Sequence, residues 1–305
     1  LHSKWSTSKV MWFVNLALVP CIASALVFFG IYQAVIMITA VAFAVGTEAA
    51  IQSIRKKNVT WFDGSAALTG LLLALTLPPN FSLSATAIGS VVAIGLGKQI
   101  FGGLGYNIFN PALVGRAFLQ AAFPVQITTW VKPNFAVDAV TSATPLAAFK
   151  FDKILTAQTP LMIGNIGGSL GETSAIAVLV GGIFLIAVGI VNWRIPLSMI
   201  IGMFLFGGIF WLINPQNPSP LFHIFAGSFL FGAMFMATDW VSSPITNKGM
   251  WIFGLGISLV LIVIRIYGGL PEGVMYSILF MNGFVPLINR YTTPRIFGAV
   301  KEEKK

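Results

Sequence analysis

The sequence predicts an all-α integral membrane protein with about ten transmembrane helices. Three observations lead to this fold class. Of the 305 residues, 56% are hydrophobic and only 9% are charged, against roughly 25% charged residues in ordinary soluble domains. The charges are also separated by long uncharged runs. Although the net charge is +9, this composition excludes a water-soluble globule, a disordered chain and a nucleic-acid-binding protein.

The uncharged runs place the helices. Residues 10–47 and 64–97 carry no charge, and a helix needs only ~20 apolar residues to cross the hydrocarbon core. Each run therefore holds two helices, separated at residues 30–33 and 77–80. No cleavable signal peptide is expected, because the first helix is long and lacks a small-residue cleavage site. The predicted helices are 10–30, 31–54, 64–77, 83–98, 111–123, 174–192, 195–213, 221–237, 250–267 and 272–289.

An internal repeat is the second prediction. The letters IFGGL at residues 100–104 are echoed by IYGGL at residues 266–270, and Gly70 and Thr76 recur 162 residues later. Two five-helix halves have opposite orientations in the membrane, because five is an odd number, and this is the inverted-repeat plan of many transporters. The alternative is a chance likeness between Gly- and Leu-rich segments.

The predicted domain organisation follows from the repeat. The first five-helix half is 1–123 and the second is 174–290. A mixed, partly charged loop, 124–173, joins them, and a tail, 291–305, follows.

Basic residues predict the orientation. If both termini are cytoplasmic, thirteen Lys and Arg residues lie on the cytoplasmic side and only four, Lys132, Lys150, Lys153 and Arg265, lie on the other. This asymmetry agrees with the positive-inside rule. The loop 124–173 is therefore predicted to be extracytoplasmic.

Metal-binding side chains are scarce. The chain has one cysteine, Cys21, and two histidines, His2 and His223. A disulfide framework is excluded, and this chain alone cannot supply the thiolates of an iron–sulfur cluster. No metal site is predicted.

The segment DAVTSATPL at residues 138–146 is the main candidate for chemistry. Its small side chains leave room for a bulky group, and Thr141, Ser142 and Thr144 offer nucleophilic oxygens. The carboxylate of Asp138 can accept a proton or hold a metal-bound phosphate donor. The alternative is structural: a hydroxyl-rich N-cap of a helix that starts at Pro145.

Several charged residues are predicted within the membrane, where they are costly and often functional. Glu48 and Arg116 are both expected in the cytoplasmic half, where they can pair. Asp63 is expected to cap a helix and Asp239 to lie at a cytoplasmic helix end. The alternative to these structural roles is a cation path or a second redox-ligand pocket.

Asn110 is expected to cap a short helix that begins at Pro111. The backbone N–H groups of that helix end would face an electron-rich ligand. The alternative role of the preceding glycines is to permit close helix packing.

Three motifs together resemble one family over nearly the whole chain. They are DAVTSAT at residues 138–144, GGLGYNIFNPA at 102–112 and MATDWVSSP at 236–244. They resemble the D subunit of the Rnf ferredoxin:NAD oxidoreductase and its homologue, the B subunit of the sodium-pumping NADH:quinone reductase. The first motif resembles the site at which an exported FMN transferase attaches FMN.

The resemblance implies FMN bound through a phosphoester to Thr144, with Thr141 as the competing attachment point. Asp138 and Ser142 belong to the same attachment motif. Lys132, Lys150 and Arg265 are the basic groups that can offset the phosphate charge. The alternatives are a solvated loop for the lysines and a snorkelling side chain for Arg265.

The resemblance also implies a cytoplasmic-side pocket for non-covalent riboflavin or a quinone-like group. Asn107 and Asn110 are its candidate residues. Arg116 and Asp239 complete the candidate cofactor-binding set, and no catalytic residue is assigned.

The expected function is electron transfer within an ion-translocating ferredoxin:NAD oxidoreductase of the bacterial cytoplasmic (inner) membrane, coupled to sodium or proton transport. The expected partners are a second FMN-bearing subunit, iron–sulfur subunits, the FMN transferase and the lipid bilayer. The alternative is a small-solute channel or transporter, since the helix plan also resembles urea and ammonium channels. A structural scaffold is a third option. Thr144 discriminates among them, because a channel has no need of an esterified flavin.

Overall fold

A computed structural model describes residues 5–131, 133 and 143–294, whose regular structure is helical. The predictions for Lys132, Asp138, Thr141, Ser142 and the tail beyond residue 294 lie outside these residues. The helices are α1 (Thr7–Ala17), α2 (Val19–Phe29), α3 (Tyr32–Ile54), α4 (Ser65–Leu75), α5 (Leu83–Ile94), α6 (Pro111–Ala122), α7 (Pro124–Thr128), α8 (Pro145–Asp152), α9 (Gln158–Ile163), α10 (Ala175–Ala187), α11 (Arg194–Ile213), α12 (Pro220–Phe225), α13 (Phe229–Phe231), α14 (Asn247–Tyr267) and α15 (Val274–Thr292), with π-helical turns at Gly95–Gln99 and Gly232–Met236.

Four apolar helical segments in the described part of the chain are long enough to cross a membrane. They are Thr7–Phe29, Tyr32–Ile54, Arg194–Ile213 and Asn247–Tyr267, and they contain 20 to 23 residues each. Large apolar side chains such as Val27, Ile38 and Leu212 are exposed on them. An exposed apolar surface of this extent is what a lipid environment requires, so the chain is a multi-pass membrane protein.

The predicted helix 221–237 is wrong, because the chain breaks inside it. Helix α12 ends at Phe225, α13 begins at Phe229, and Gly227 lies between them with φ +68°. This left-handed conformation costs glycine little and other residues about 1–2 kcal/mol. The break leaves α13 and the π-helical turn after it as a short half-helix.

A second break lies after α4. The letters LPP follow Thr76, and Pro residues cannot continue the helical hydrogen bonding. A neighbouring segment completes the open helix end: Gly171 N–H donates to the Leu75 carbonyl at 2.7 Å, and Leu170 N–H donates to the Leu77 carbonyl at 3.1 Å. Non-helical backbone inside a membrane protein needs such partners.

The loops meet on two opposite faces of the bundle. On one face, Lys150 contacts the carbonyl of Leu270, and we call it the Thr144 face. On the other, Trp240 Nε1 donates to the Ile190 carbonyl at 2.8 Å, and we call it the Asp239 face.

Small residues let the helices approach closely. A Cβ atom on Gly70 of α4 would lie 2.7 Å from the Ala40 carbonyl oxygen of α3. A Cβ atom on Gly115 of α6 would lie 2.8 Å from the Gly89 carbonyl oxygen of α5. Glycine at such contacts is typical of helix interfaces in membranes, where packing stabilises association.

Candidate cofactor-binding site

Thr144 is the N-cap of α8 on the Thr144 face. Its backbone is extended, and its Oγ1 accepts a hydrogen bond from Ala147 N–H at 3.2 Å. Pro145 occupies the first helical position, where a missing N–H costs nothing. Thr144 is 2% exposed. Its hydroxyl oxygen therefore lies at the positive end of a helix, where a phosphate group is favoured.

Apolar contacts hold α8 against the break between α12 and α13. Leu146 shares a small buried cluster with Leu161, Phe222 and Ala226. A Cβ atom on Gly227 would lie only 2.7 Å from Leu146 Cδ1. The Thr144 segment is thus packed on the non-helical residues that interrupt the bundle.

Lys150 fastens the other end of α8 to the end of α14. Its Nζ donates to the carbonyls of Arg265 (3.2 Å) and Leu270 (3.0 Å), and also to that of Gly268. Burial, together with the charge of Lys153, lowers the pKa of Lys150. The ammonium group stabilises the carbonyl end of α14, so Lys150 is not a freely solvated loop residue.

Arg265 does not snorkel to the surface. It is 6% exposed, and its guanidinium donates to the carbonyl of His223 and, at 2.9 Å, to the carbonyl of Ala226. These are free carbonyls at the end of α12. Arg265 therefore stabilises the helix break beneath the Thr144 segment, and its guanidinium is bound to the backbone.

The predicted pair of Glu48 with Arg116 is wrong. Arg116 Nη1 donates to the Thr76 carbonyl at the end of α4, and its Nη2 lies 3.7 Å from Glu272 Oε2. Glu48 pairs instead with Lys98, whose Nζ lies 2.8 Å from both carboxylate oxygens. Arg116 thus belongs to the Thr144 side of the bundle and Glu48 to the Asp239 side.

Four ionic residues meet below the Thr144 segment, and we call them the Arg–Glu quartet: the buried Arg116, Arg265 and Glu172, and the half-buried Glu272. Glu172 interacts electrostatically with Glu272 and Arg116, and Arg265 interacts with both carboxylates. The sequence pattern singles out only the two arginines. The glutamates lie in non-helical segments near helix starts, where an acid normally indicates a solvated loop.

Three other predicted residues meet on the Asp239 face. Asn107, Asn110 and Asp239 line one cavity of about 70 Å³, together with Lys98. Asn110 caps α6 as predicted, and its Nδ2 also donates to the Met236 carbonyl at 3.1 Å. Asn107 and Asp239 are hydrogen-bonded to each other.

Lys98 is the residue that sequence reasoning misses in this region. It counts among the cytoplasmic loop charges in the sequence, yet it is 1% exposed. Besides Glu48 it binds Ser65 Oγ, at 2.6 Å, at the start of α4. Asp63 accepts hydrogen bonds from Ser65 N–H (2.8 Å) and Ser65 Oγ (2.7 Å) at the first residue of α4, although the N-cap position itself is Gly64 and not Asp63 as predicted.

Among the described residues no group of three or more His, Cys, Asp or Glu side chains is arranged to hold a metal ion. The polar groups that the two sites offer as donors or acceptors are hydroxyls, amides, guanidinium groups, backbone groups, the Asp239 carboxylate and the Lys98 ammonium group. These donors suit the phosphate and ring edges of a flavin nucleotide better than a metal ion.

Comparisons with known proteins agree with the motifs. Residues 1–298 match the model of the NQR2, RnfD, RnfE family. The chain is 45% identical to the D subunit of the proton-translocating ferredoxin:NAD(+) oxidoreductase complex of Clostridium ljungdahlii, over 96% of this chain and 92% of that protein. It is 42% identical to the D subunit of the Na(+)-translocating ferredoxin:NAD(+) oxidoreductase complex of Acetobacterium woodii, over 100% of this chain and 95% of that protein.

A third relative is the D subunit of the ion-translocating oxidoreductase complex of Stutzerimonas stutzeri, at 38% identity over 96% of this chain and 92% of that protein. The matched family model and these relatives confirm the predicted resemblance to the D subunit of the Rnf ferredoxin:NAD oxidoreductase. The chain belongs to the NQR2, RnfD, RnfE family.

Proposed function

We propose that this chain is an electron-transfer subunit of an ion-translocating ferredoxin:NAD oxidoreductase and that it carries FMN as a phosphoester of Thr144. The observation that carries the proposal is the position of Thr144, whose oxygen caps an eight-residue helix on the Thr144 face. Bound FMN supplies one-electron transfer, which no amino-acid side chain of this site offers. The chain is not an enzyme by itself, since other subunits must bind NAD and hold the iron–sulfur clusters.

The residues at Thr144 fit a phosphoester. An ester oxygen still accepts the hydrogen bond from Ala147 N–H, and the first turn of α8 directs further N–H groups toward a phosphate. Lys150 and Arg265 are bound to carbonyls, so their positive charge acts on the phosphate at a distance. Lys132 stays a candidate for direct contact.

The Thr144 face is proposed to lie outside the cytoplasm, with both termini inside. The asymmetry of basic residues supports this orientation, and so does the need of an exported transferase to reach Thr144. The membrane is proposed to be the bacterial cytoplasmic (inner) membrane.

The cavity on the Asp239 face is the proposed place of a second, non-covalent flavin. Asn107, Asn110 and Asp239 offer both donors and acceptors to a ring edge. The cavity of about 70 Å³ is small beside the ~300–1,000 Å³ of typical ligand pockets. Binding of a flavin there therefore requires the lining helices to separate.

The proposed partners are a second FMN-bearing subunit, iron–sulfur subunits and the FMN transferase. The coupling ion is sodium or a proton: one relative is named proton-translocating and another Na(+)-translocating. Family membership is thus compatible with either ion.

The two halves of the chain are proposed to form an inverted repeat. The similar segments 100–104 and 266–270 lie on opposite faces of the bundle, as such a repeat requires. The half-helices ending near Thr76 and Thr238 support it as well, because each threonine hydroxyl donates at 2.7 Å to a carbonyl of its own helix. The same half-helices also favour the alternative function, a small-solute channel of urea- or ammonium-channel architecture.

Flavin fluorescence in a denaturing gel tests the main proposal. The chain produced together with the FMN transferase is expected to give a fluorescent band, and Thr144→Ala is expected to lose it completely, because the ester oxygen is gone. Thr173→Ala, a buried threonine elsewhere on the same side, is the matched control and should keep the band. If intact-mass measurement shows no FMN adduct on the unaltered chain, the proposal fails; if only Thr141→Ala loses it, the site is wrong but the function class stands.

A further inference from the structure

The Arg–Glu quartet contains more buried polar atoms than its own members satisfy. Oε2 of Glu172, Oε1 of Glu272 and Nε of Arg265 are each buried without a hydrogen-bond partner. Glu172 and Arg265 are 7% and 6% exposed. Buried polar atoms are nearly always paired, so three unpaired atoms in one cluster indicate that something further binds there.

The two guanidinium groups donate to backbone carbonyls and act on the two carboxylates mainly at a distance. Arg116 directs Nη1 to the Thr76 carbonyl and approaches Glu272 only to 3.7 Å. Arg265 donates to two backbone carbonyls. The best partner of Glu172 is the N–H of Ser169, at 3.0 Å. The Glu172 and Glu272 carboxylates also repel each other.

We propose that Glu172, beside Glu272, holds a proton at neutral pH, which makes the quartet a protonatable site inside the membrane on the Thr144 side. A proton converts the Glu172 carboxylate into a neutral hydroxyl donor and relieves its repulsion by Glu272. A sodium ion fits less well, because two guanidinium groups face the same space and repel a bound cation.

The groups around the pair come from every neighbouring element. Arg116 lies on α6 and Arg265 on α14, while Tyr276 on α15 faces Arg116 and His223 on α12 faces Arg265. Ser228, in the break before α13, donates to Glu272 Oε2 at 3.1 Å. Protonation of the pair changes the net charge of this set by one unit.

The pair is also linked to the Thr144 segment. Gly227 separates them: a Cβ atom there would lie 2.7 Å from Leu146 Cδ1 and 3.0 Å from Glu272 Oε1. Leu146, the first of these neighbours, lies two residues after Thr144, and Glu272, the second, belongs to the carboxylate pair. A change of charge at Thr144 and a change of protonation at the pair therefore influence each other.

Infrared spectroscopy of the full chain in lipid nanodiscs tests the proposal. The chain is produced without the FMN transferase, so a failure here is separate from a failure of the flavin proposal. A carboxylic-acid C=O band is expected to persist at neutral pH and to bleach at higher pH. Glu172→Gln should remove it, and Glu48→Gln should keep it, because Lys98 holds that carboxylate at 2.8 Å.

Glu272→Gln provides a second test should Glu172→Gln not fold. With the neighbouring negative charge removed, the remaining carboxyl should lose its proton at lower pH, so the band should bleach earlier in the titration. Three results would overturn the proposal: no such band at neutral pH, a band removed only by Asp239→Asn, or a band displaced by sodium chloride but not by choline chloride at constant pH.

Discussion

Single residues carry both the charge pairing and the proposed cofactor attachment of this protein. Glu48 and Lys98 illustrate the first. Their side chains are 1% and 2% exposed, and they satisfy each other at 2.8 Å. Gln99 Nε2 also donates to Glu48 Oε1 at 2.8 Å. An ion pair this deeply buried adds little stability over apolar residues, but loss of one partner leaves an uncompensated charge.

Lys98→Met is therefore expected to lower the free energy of unfolding by about 3–5 kcal/mol. Thermal unfolding of the purified chain in detergent, followed by tryptophan fluorescence, measures the change. The double variant Lys98→Met with Glu48→Gln should recover much of the loss, because no lone charge remains. Lys57→Met, at an exposed lysine, is the control, and an equal loss in both single variants would contradict the pairing.

For single residues, the sequence predicts a structural role well when that role depends only on neighbouring residues in the chain. The caps at Thr144 and Asn110 are both predictable, because a hydroxyl or amide followed by proline marks a helix start within three residues. The partner of Arg116, by contrast, is not predictable from the sequence. It lies in a segment more than 150 residues away, and nothing in the neighbouring sequence distinguishes Glu272 from Glu48.

Helix ends and breaks determine where the functional residues lie. The break at Gly227 brings together Leu146, Glu272 and Arg265 from three different segments. Uncharged runs predict the positions of the helices well, since charge is costly in lipid. The Gly227 break escapes prediction because the letters FAGS contain neither a proline nor a charge.

Gly227→Ala is expected to lower the melting temperature more than an ordinary glycine substitution. The new Cβ atom collides with Leu146 at 2.7 Å, and the φ of +68° is strained for alanine. Gly189→Ala is the matched control, because φ there is +79° and a Cβ atom meets nothing within 4 Å. Thermal unfolding should show about 1–2 kcal/mol of loss from φ alone in the control and a larger loss at Gly227; equal losses would exclude the contact.

For the molecule as a whole, the two faces have different compositions and different proposed roles. The Thr144 face carries the proposed attachment residue, and the Asp239 face carries a small polar cavity. The pattern of basic residues in the sequence suffices to predict an orientation. The Arg–Glu quartet is beyond sequence reasoning, because it joins α6, α14 and two non-helical segments that only the folded chain brings together.

Cysteine labelling in intact cells tests the orientation. In a Cys21→Ala background, Lys153→Cys on the Thr144 face is expected to react with an impermeant maleimide added outside, whereas Lys57→Cys on the Asp239 face should react only after the cells are opened. Both lysines are exposed and Cys21 is buried, so the label reports on the introduced cysteines. The reverse labelling pattern would show that the proposed orientation is inverted.

The three carbonyl contacts of Lys150 have a consequence for the rate of the proposed electron transfer. Because these contacts bind α8 to the end of α14, the two helices move as one unit. Electron tunnelling weakens steeply with each added ångström, so the rate at which an electron reaches or leaves the flavin proposed at Thr144 depends on this tether. Lys150 need not contact the proposed flavin to matter, because its carbonyl contacts keep the electron-transfer distance constant from one turnover to the next.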